Sequence, residues 1–178
     1  MEKVAILSLL WTKADAVVSF MNHIPSEVLY VKPAENVWSA AENVQHLIQS
    51  AQPFVRVLGR PASYFVEKWG QASYASRSYE VMVSTYQKAL GGGVQAPSVF
   101  VPILEGNNTE ELVKAFTSVY KELEKVFLVW SESDLENCLI PHPLLGPITL
   151  KEMMLFTVYH TEHHLQIMQR RGELAMLG

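Results

Sequence analysis

The sequence predicts an all-α protein: a four-helix bundle with a long crossover between main helices two and three and a short extra helix inside that crossover. Three observations predict it. Four long segments place apolar residues at the spacing of an amphipathic helix. No convincing strand pattern appears beside them. The joins run short, long, short, so helices one and two form one antiparallel pair and helices three and four another, while the middle join is long enough to cross the bundle.

The first main helix spans Glu2 to about His23, and Pro25 stops it. Its apolar run, "MEKVAILSLLWTKADAVVSF", is broken by Lys13 and Asp15 and is followed by no small-residue cleavage site. That marks an amphipathic helix rather than a signal peptide. His23 at its end sits favourably against the helix dipole. The second main helix opens on Ser39 as N-cap with Glu42 three residues later, a capping box. Val44, Leu47, Ile48, Ala51, Val55 and Leu58 form its core stripe, and Gly59 and Pro61 end it. Pro53 lies inside the pattern, where it frees a carbonyl and should bend the helix.

The crossover runs from about Arg60 to Asn108. Its short helix starts near Ser78 and ends at the glycines of "GGGVQAPSVFVP", itself a loop. The third main helix starts after Thr109, capped by "TEEL", and runs to about Trp130 over the stripe Leu112, Ala115, Phe116, Val119, Leu123, Val126 and Phe127. "PHPLLGP" is a turn. Thr149 with Glu152 forms a second capping box, and the last main helix continues to about Arg171.

Composition bounds the function. The 178 residues suit one domain over the whole chain, and 49% hydrophobic against 18% charged residues excludes disorder. The net charge is −4 and no long Lys/Arg cluster occurs, so no nucleic-acid surface is suggested. The lone cysteine, Cys138, has no intrachain disulfide partner, which fits a reducing compartment. No uninterrupted apolar stretch is long enough to span a bilayer. These features predict a soluble cytoplasmic protein with neither a nucleic-acid nor a membrane partner; a small-molecule substrate is a separate expectation, from the candidate site.

Chemistry concentrates in "YHTEHHLQIMQR", residues 159–170. An α-helix turns about 100° per residue. With Leu150 as origin, Met153, Met154, Phe156, Thr157, Ile167 and Met168 share one side, and Lys151, Glu152, Glu162, Gln166, Gln169 and Arg170 the other. His160 and His164 fall within the apolar side as an i, i+4 pair, and His163 lies at the boundary, reaching towards solvent. Two inward imidazoles one turn apart are costly to bury without partners. Either each is a hydrogen-bonded core histidine, or the two converge on one metal ion, as in zincins. Thr161 stands where a zincin protease carries its Glu, which argues against that class. His46 lies at the edge of the apolar face of helix two, beside Asn43 and Ser50. It is either an edge residue without a special role or a third ligand. Three neutral histidines form a common zinc arrangement with a position left for water or substrate, and nickel, iron and manganese also accept imidazole.

"WSAAENVQHL", "HPLLGPITLKEMM" and "HTEHHLQI", in that order, resemble the DinB/YfiT-like superfamily of four-helix metal-binding proteins. The matching segments cover helix two, the last turn and the last helix. The resemblance implies a bundle with a crossover after helix two, assembly as a homodimer, and a divalent metal held by three histidines. By position these are His46, His160 and His164. The Gln that commonly follows the last ligand falls one place early, at Gln166. Characterised relatives include thiol-dependent S-transferases and a thiol-dependent isomerase. A metal, zinc or nickel first, would then activate a low-molecular-weight thiol as nucleophile, or else lower the pKa of bound water for hydrolysis.

Other residues have simpler roles beside functional ones. Glu42 either caps its helix or orients His46. Glu162 reads as solvated, His142 as a turn residue that can border a pocket, and Cys138 as a small buried residue. Trp11 and Trp38 either pack between helices or line an apolar cavity, and Asn43 and Ser50 sit where they can contact substrate. Two classes of function follow: a metal-dependent enzyme, or a bundle that binds metal or ligand without catalysis.

Overall fold

The computed structural model of the chain describes residues 1–91 and 97–176. In chain order they form α1 (Lys3–His23), α2 (Ser26–Tyr30), α3 (Ala40–Leu58), α4 (Ala62–Trp69), α5 (Tyr79–Leu90), α6 (Thr109–Leu128), α7 (Glu132–Asn137), strands β1 (Leu139–His142) and β2 (Gly146–Thr149), and α8 (Leu150–Met176). The main helices are α1, α3, α6 and α8.

α3 packs on α6 and α8, and α1 packs on the same two, so α1 and α3 stand at opposite corners of the bundle. Side-chain contacts set the directions. Trp130, just past α6, donates from Nε1 to the Leu58 carbonyl at the end of α3 at 3.0 Å, so α3 and α6 run parallel. Lys3, at the start of α1, donates from Nζ to the carbonyls of Leu128 and Trp130, so α1 opposes α6. Parallel neighbours consecutive in the bundle force the chain to return along its length. The predicted crossover does this, carrying α4 and α5. Helices one and two keep the expected antiparallel sense, but they lie diagonally rather than side by side.

The main caps form as read. Ser39 Oγ accepts from Glu42 N at 3.1 Å while Glu42 Oε2 accepts from Ser39 N at 2.8 Å. Thr149 and Glu152 repeat the box at the start of α8. For α6 the cap is one residue earlier than expected: Asn108 Oδ1 accepts from Glu111 N, and Thr109 is already helical. In its stripe Ala115 is exposed, and Tyr120 takes a core position, its hydroxyl 2.6 Å from Thr161 Oγ1. α3 runs unbroken through Pro53. The loop expected over "GGGVQAPSVFVP" lies partly outside the described residues, and its Ser98–Phe100 form a 3₁₀ turn.

The strands correct the expectation of a plain turn at "PHPLLGP". β1 and β2 pair antiparallel, with Pro141 opposite Pro147. Prolines at a pair that needs no N–H are compatible with a ladder, yet they mask a strand in the sequence. Gly146 takes a positive φ of 70°, which a side chain rarely adopts. α2, α4 and α7 are also additions, each of 8 residues or fewer. By length and composition α1 is apolar enough to cross a membrane, despite Lys13 and Asp15. In the bundle it instead buries Ile6, Leu7, Leu10, Ala14, Val17 and Met21.

One ion pair ties the crossover to α8. Glu152 is fully buried, and Arg77 donates to it from Nε at 2.7 Å and from Nη2 at 3.2 Å. Arg77 N, Tyr74 Oη and Thr149 N also donate to the same carboxylate. Burial pushes the Glu152 carboxyl up, but these hydrogen bonds, led by Arg77, outweigh it and hold the group below its ordinary range.

Candidate metal centre

α3 and α8 run antiparallel, which sets the start of α3 against the middle of α8. There His46 meets His160 and His164, all three buried. His46 Nε2 and His164 Nε2 each lie 3.1 Å from His160 Nε2. One ligand atom from each of the three falls within 4.8 Å of the others.

The outer nitrogens decide the protonation. His46 Nδ1 donates to the Phe100 carbonyl at 2.7 Å. His164 Nδ1 donates to Asn43 Oδ1 at 2.8 Å, and Asn43 is oriented by its own Nδ2, which donates to the Ser39 carbonyl at 2.7 Å. Each of these rings is neutral, so each spends its proton outward and aims an Nε2 lone pair inward. At most one proton, on His160, is available among three converging nitrogens. Such a set repels itself and fits a small divalent cation; arms of about 2.05 Å in a tetrahedron put nitrogens about 3.3 Å apart. Burial, aided by the neighbouring imidazoles, holds His160 and His164 well below the usual histidine range. Burial also lowers the His46 pKa, partly opposed by its bond to the Phe100 carbonyl. Neutral imidazole is the form that binds metal.

The histidines close one side of a cavity of ≈ 430 Å³. Trp38, Phe54, Trp69, Tyr86 and Phe156 supply much of its wall. Phe156 stacks on His160 with centroids 5.0 Å apart, and Trp38 lies 4.9 Å from the His46 ring. Among the described lining residues there is no carboxylate and no Lys or Arg.

The other candidates divide. Ser50 lines the cavity, its Oγ 3.5 Å from His46 Nε2. Asn43 holds His164 rather than facing the cavity. Glu42 caps α3 and pairs with Lys32 at 2.8 Å, so the capping role holds. Trp38 lines the cavity, whereas Trp11 packs against the core. His163 is half-buried and borders the cavity instead of reaching freely into solvent. Glu162 is not merely solvated: Lys13 Nζ lies 2.9 Å away and Tyr79 Oη donates to it at 3.2 Å. His142 is both turn residue and cavity wall. Cys138 is buried and its thiol is pushed up by that burial, which suits a packing role. Gln166 is exposed and outside the cavity. His23 is exposed and hydrogen-bonds Ser19 O at the end of α1. Sequence reasoning gives no functional role to the Phe100 carbonyl or Tyr86, and places Phe156 only on the apolar face of the last helix. Phe156 was legible as one turn before His160, while Phe100 and Tyr86 arrive through the crossover.

Asn43 gives a direct test of the outer contacts. Asn43→Leu keeps the volume, removes the acceptor for His164 Nδ1–H, and should weaken divalent-metal affinity about 10–100-fold in a chelator competition.

Two solved structures share the fold. One is TT2238, a four-helix bundle protein, at 14% identity and TM-score 0.59, covering 93% of this chain and 97% of that one. The other is YfiT from Bacillus subtilis, described as a probable metal-dependent hydrolase with an unusual four-helix bundle topology; it matches at 12% identity and TM-score 0.62, covering 98% of this chain and 90% of that one. No curated protein matches the sequence. The sequence does match the DinB superfamily over residues 10–168, nearly the whole of the bundle that carries the three-histidine cluster, and the chain belongs to that superfamily.

Proposed function

We propose that this protein is a divalent-metal-dependent enzyme that joins a small thiol to a small, largely apolar electrophile, an S-transferase. The observation that carries the reading is the convergence of three buried imidazole nitrogens, at most one of them protonated, at the wall of an apolar cavity. His46, His160 and His164 would hold the divalent ion, which would lower the pKa of a bound thiol or water and so supply a nucleophile at neutral pH. The chain's own residues do the rest. Asn43 and the Phe100 carbonyl fix the imidazole tautomers, and Trp38, Phe54 and Phe156 exclude water and hold an apolar partner. In the transfer the thiol releases its proton to solvent, its sulfur forms a bond to carbon, and the leaving group departs with the electron pair of the bond it loses.

Thiol is favoured over water by the lining. No carboxylate stands among the described cavity residues to serve as a general base, and a thiol, with a pKa near 8.5, needs less activation than water. The second reading, hydrolysis, is favoured by the description of YfiT as a probable metal-dependent hydrolase.

Cobalt substitution separates the two. Cobalt-loaded protein titrated with cysteine or glutathione is expected to develop a thiolate-to-cobalt charge-transfer band, and the zinc form to conjugate 1-chloro-2,4-dinitrobenzene only with thiol present. Ester cleavage without thiol, and no charge-transfer band, supports hydrolysis instead. Silence in both assays leaves a bundle that binds without catalysis.

A further inference from the structure

His142 is a buried polar group of the cavity for which the metal centre has no use. It ends β1 just before the turn and is 6% exposed. Its Nδ1 accepts from Leu144 N at 3.1 Å and from Leu145 N at 3.2 Å. Two donors on one ring nitrogen settle the tautomer: Nδ1 carries the lone pair and Nε2 the proton. Among the described residues Nε2 has no hydrogen-bond partner, and the ring borders the cavity. Its neighbours there offer none. The Phe156 ring stands edge-on at 4.3 Å and Tyr86 at 5.9 Å. Phe156 also stacks on His160, so a single phenyl ring separates His142 from the three-histidine cluster. Burial, with a smaller push from the Arg77 charge, brings the His142 pKa down to about 4, so at neutral pH the group is an uncharged donor.

Water can accept from this N–H while the cavity is empty, and an apolar molecule that displaces that water must offer an acceptor in its place or leave the donor unsatisfied. We infer that His142 anchors the substrate, its Nε2–H donating to a carbonyl or similar uncharged oxygen on a small aromatic or apolar molecule held in this cavity. No Lys or Arg among the described lining residues stands beside His142 to pair with a carboxylate, and Phe156 lies between it and the three-histidine cluster, so an uncharged acceptor suits this end of the cavity. The hairpin gives the anchor its rigidity. Its turn amides grip the ring from behind, and β2 leads directly into α8, where Glu152 is locked to Arg77. The inference rests on reading the cavity as the substrate chamber and does not need the metal.

Benzamide, an aryl carbonyl, and toluene, its apolar control, are the probes. Each is titrated into the parent, His142→Asn and His142→Phe, in zinc-loaded and metal-free forms. Asn keeps an oxygen for the two turn amides but draws the donor back from the cavity; Phe keeps the ring but loses both nitrogens. Both variants are expected to bind benzamide about tenfold more weakly, the scale of one hydrogen bond, with toluene binding unchanged. In the parent, nitrogen-15 NMR is expected to show the Nε2–H tautomer and a shift of that signal on adding benzamide. This readout stands even where a variant fails to fold. Equal weakening for both probes, or for neither, overturns the inference, as does a parent whose Nε2–H signal ignores benzamide. Failure of the parent to take up zinc defeats the metal reading alone, because the selective loss of benzamide binding is also read in metal-free protein.

Discussion

His164→Ala is expected to lower divalent-metal affinity by at least roughly a hundredfold, beyond what the loss of one outer-shell partner costs. The residue supplies one of three converging nitrogens and is the one fixed most completely from behind, through Asn43 to the Ser39 carbonyl. Chelator competition at neutral pH checks this, with circular dichroism to confirm that the variant stays helical. Retained affinity would mean that the ion binds elsewhere. Acid should act on the parent in the same direction. Burial holds these imidazoles below the ordinary value of 6.5, so the unfolded chain takes up protons before the folded chain does. The stability they contribute is complete above about pH 6.5 and is lost as pH falls towards the folded values. In metal-free protein the slope is roughly 1.4 kcal/mol per pH unit for each imidazole in that window.

Arg77→Ala should destabilise the fold by about 3 kcal/mol or more, because it strips the cation from a carboxylate that stays fully buried. Three hydrogen bonds to Glu152 remain, from Tyr74, the residue 77 amide and Thr149, which keeps the expected loss at the lower end of that class. Urea unfolding of metal-free protein gives the number. Arg77→Ala with Glu152→Gln in the same chain should recover part of the loss, since an amide needs no counter-charge. Absence of any recovery would show that the side chains matter through packing rather than charge.

The bundle was legible because its signals are local. Ser39 with Glu42 and Thr149 with Glu152 announce two helix starts by themselves, and the stripe of α3 repeats at one period. The inward His160/His164 pair followed from angle alone, since both residues lie on one helix. His46 was harder. Its burial depends on which face of α3 meets α8, and it was the family resemblance that moved it from the edge of a stripe into the cluster. The hairpin was hidden because Pro141 and Pro147 oppose each other at the pair whose amides the ladder does not use. Glu162 read as solvated because its partners, Lys13 and Tyr79, come from α1 and α5. Phe100 was out of reach for a similar reason: what matters is its carbonyl, and no side-chain pattern reports where a carbonyl in a crossover will point.

The central claim is that His46, His160 and His164 hold one divalent ion. Elemental mass spectrometry on tag-free protein, followed by X-ray absorption at the edge of the metal found, tests it most directly. The account predicts close to one divalent ion per chain, bound by three imidazole nitrogens. Protein that stays metal-free after reconstitution with zinc, nickel and manganese would contradict it, and the three histidines would then be core residues held by Phe100, Asn43 and one another.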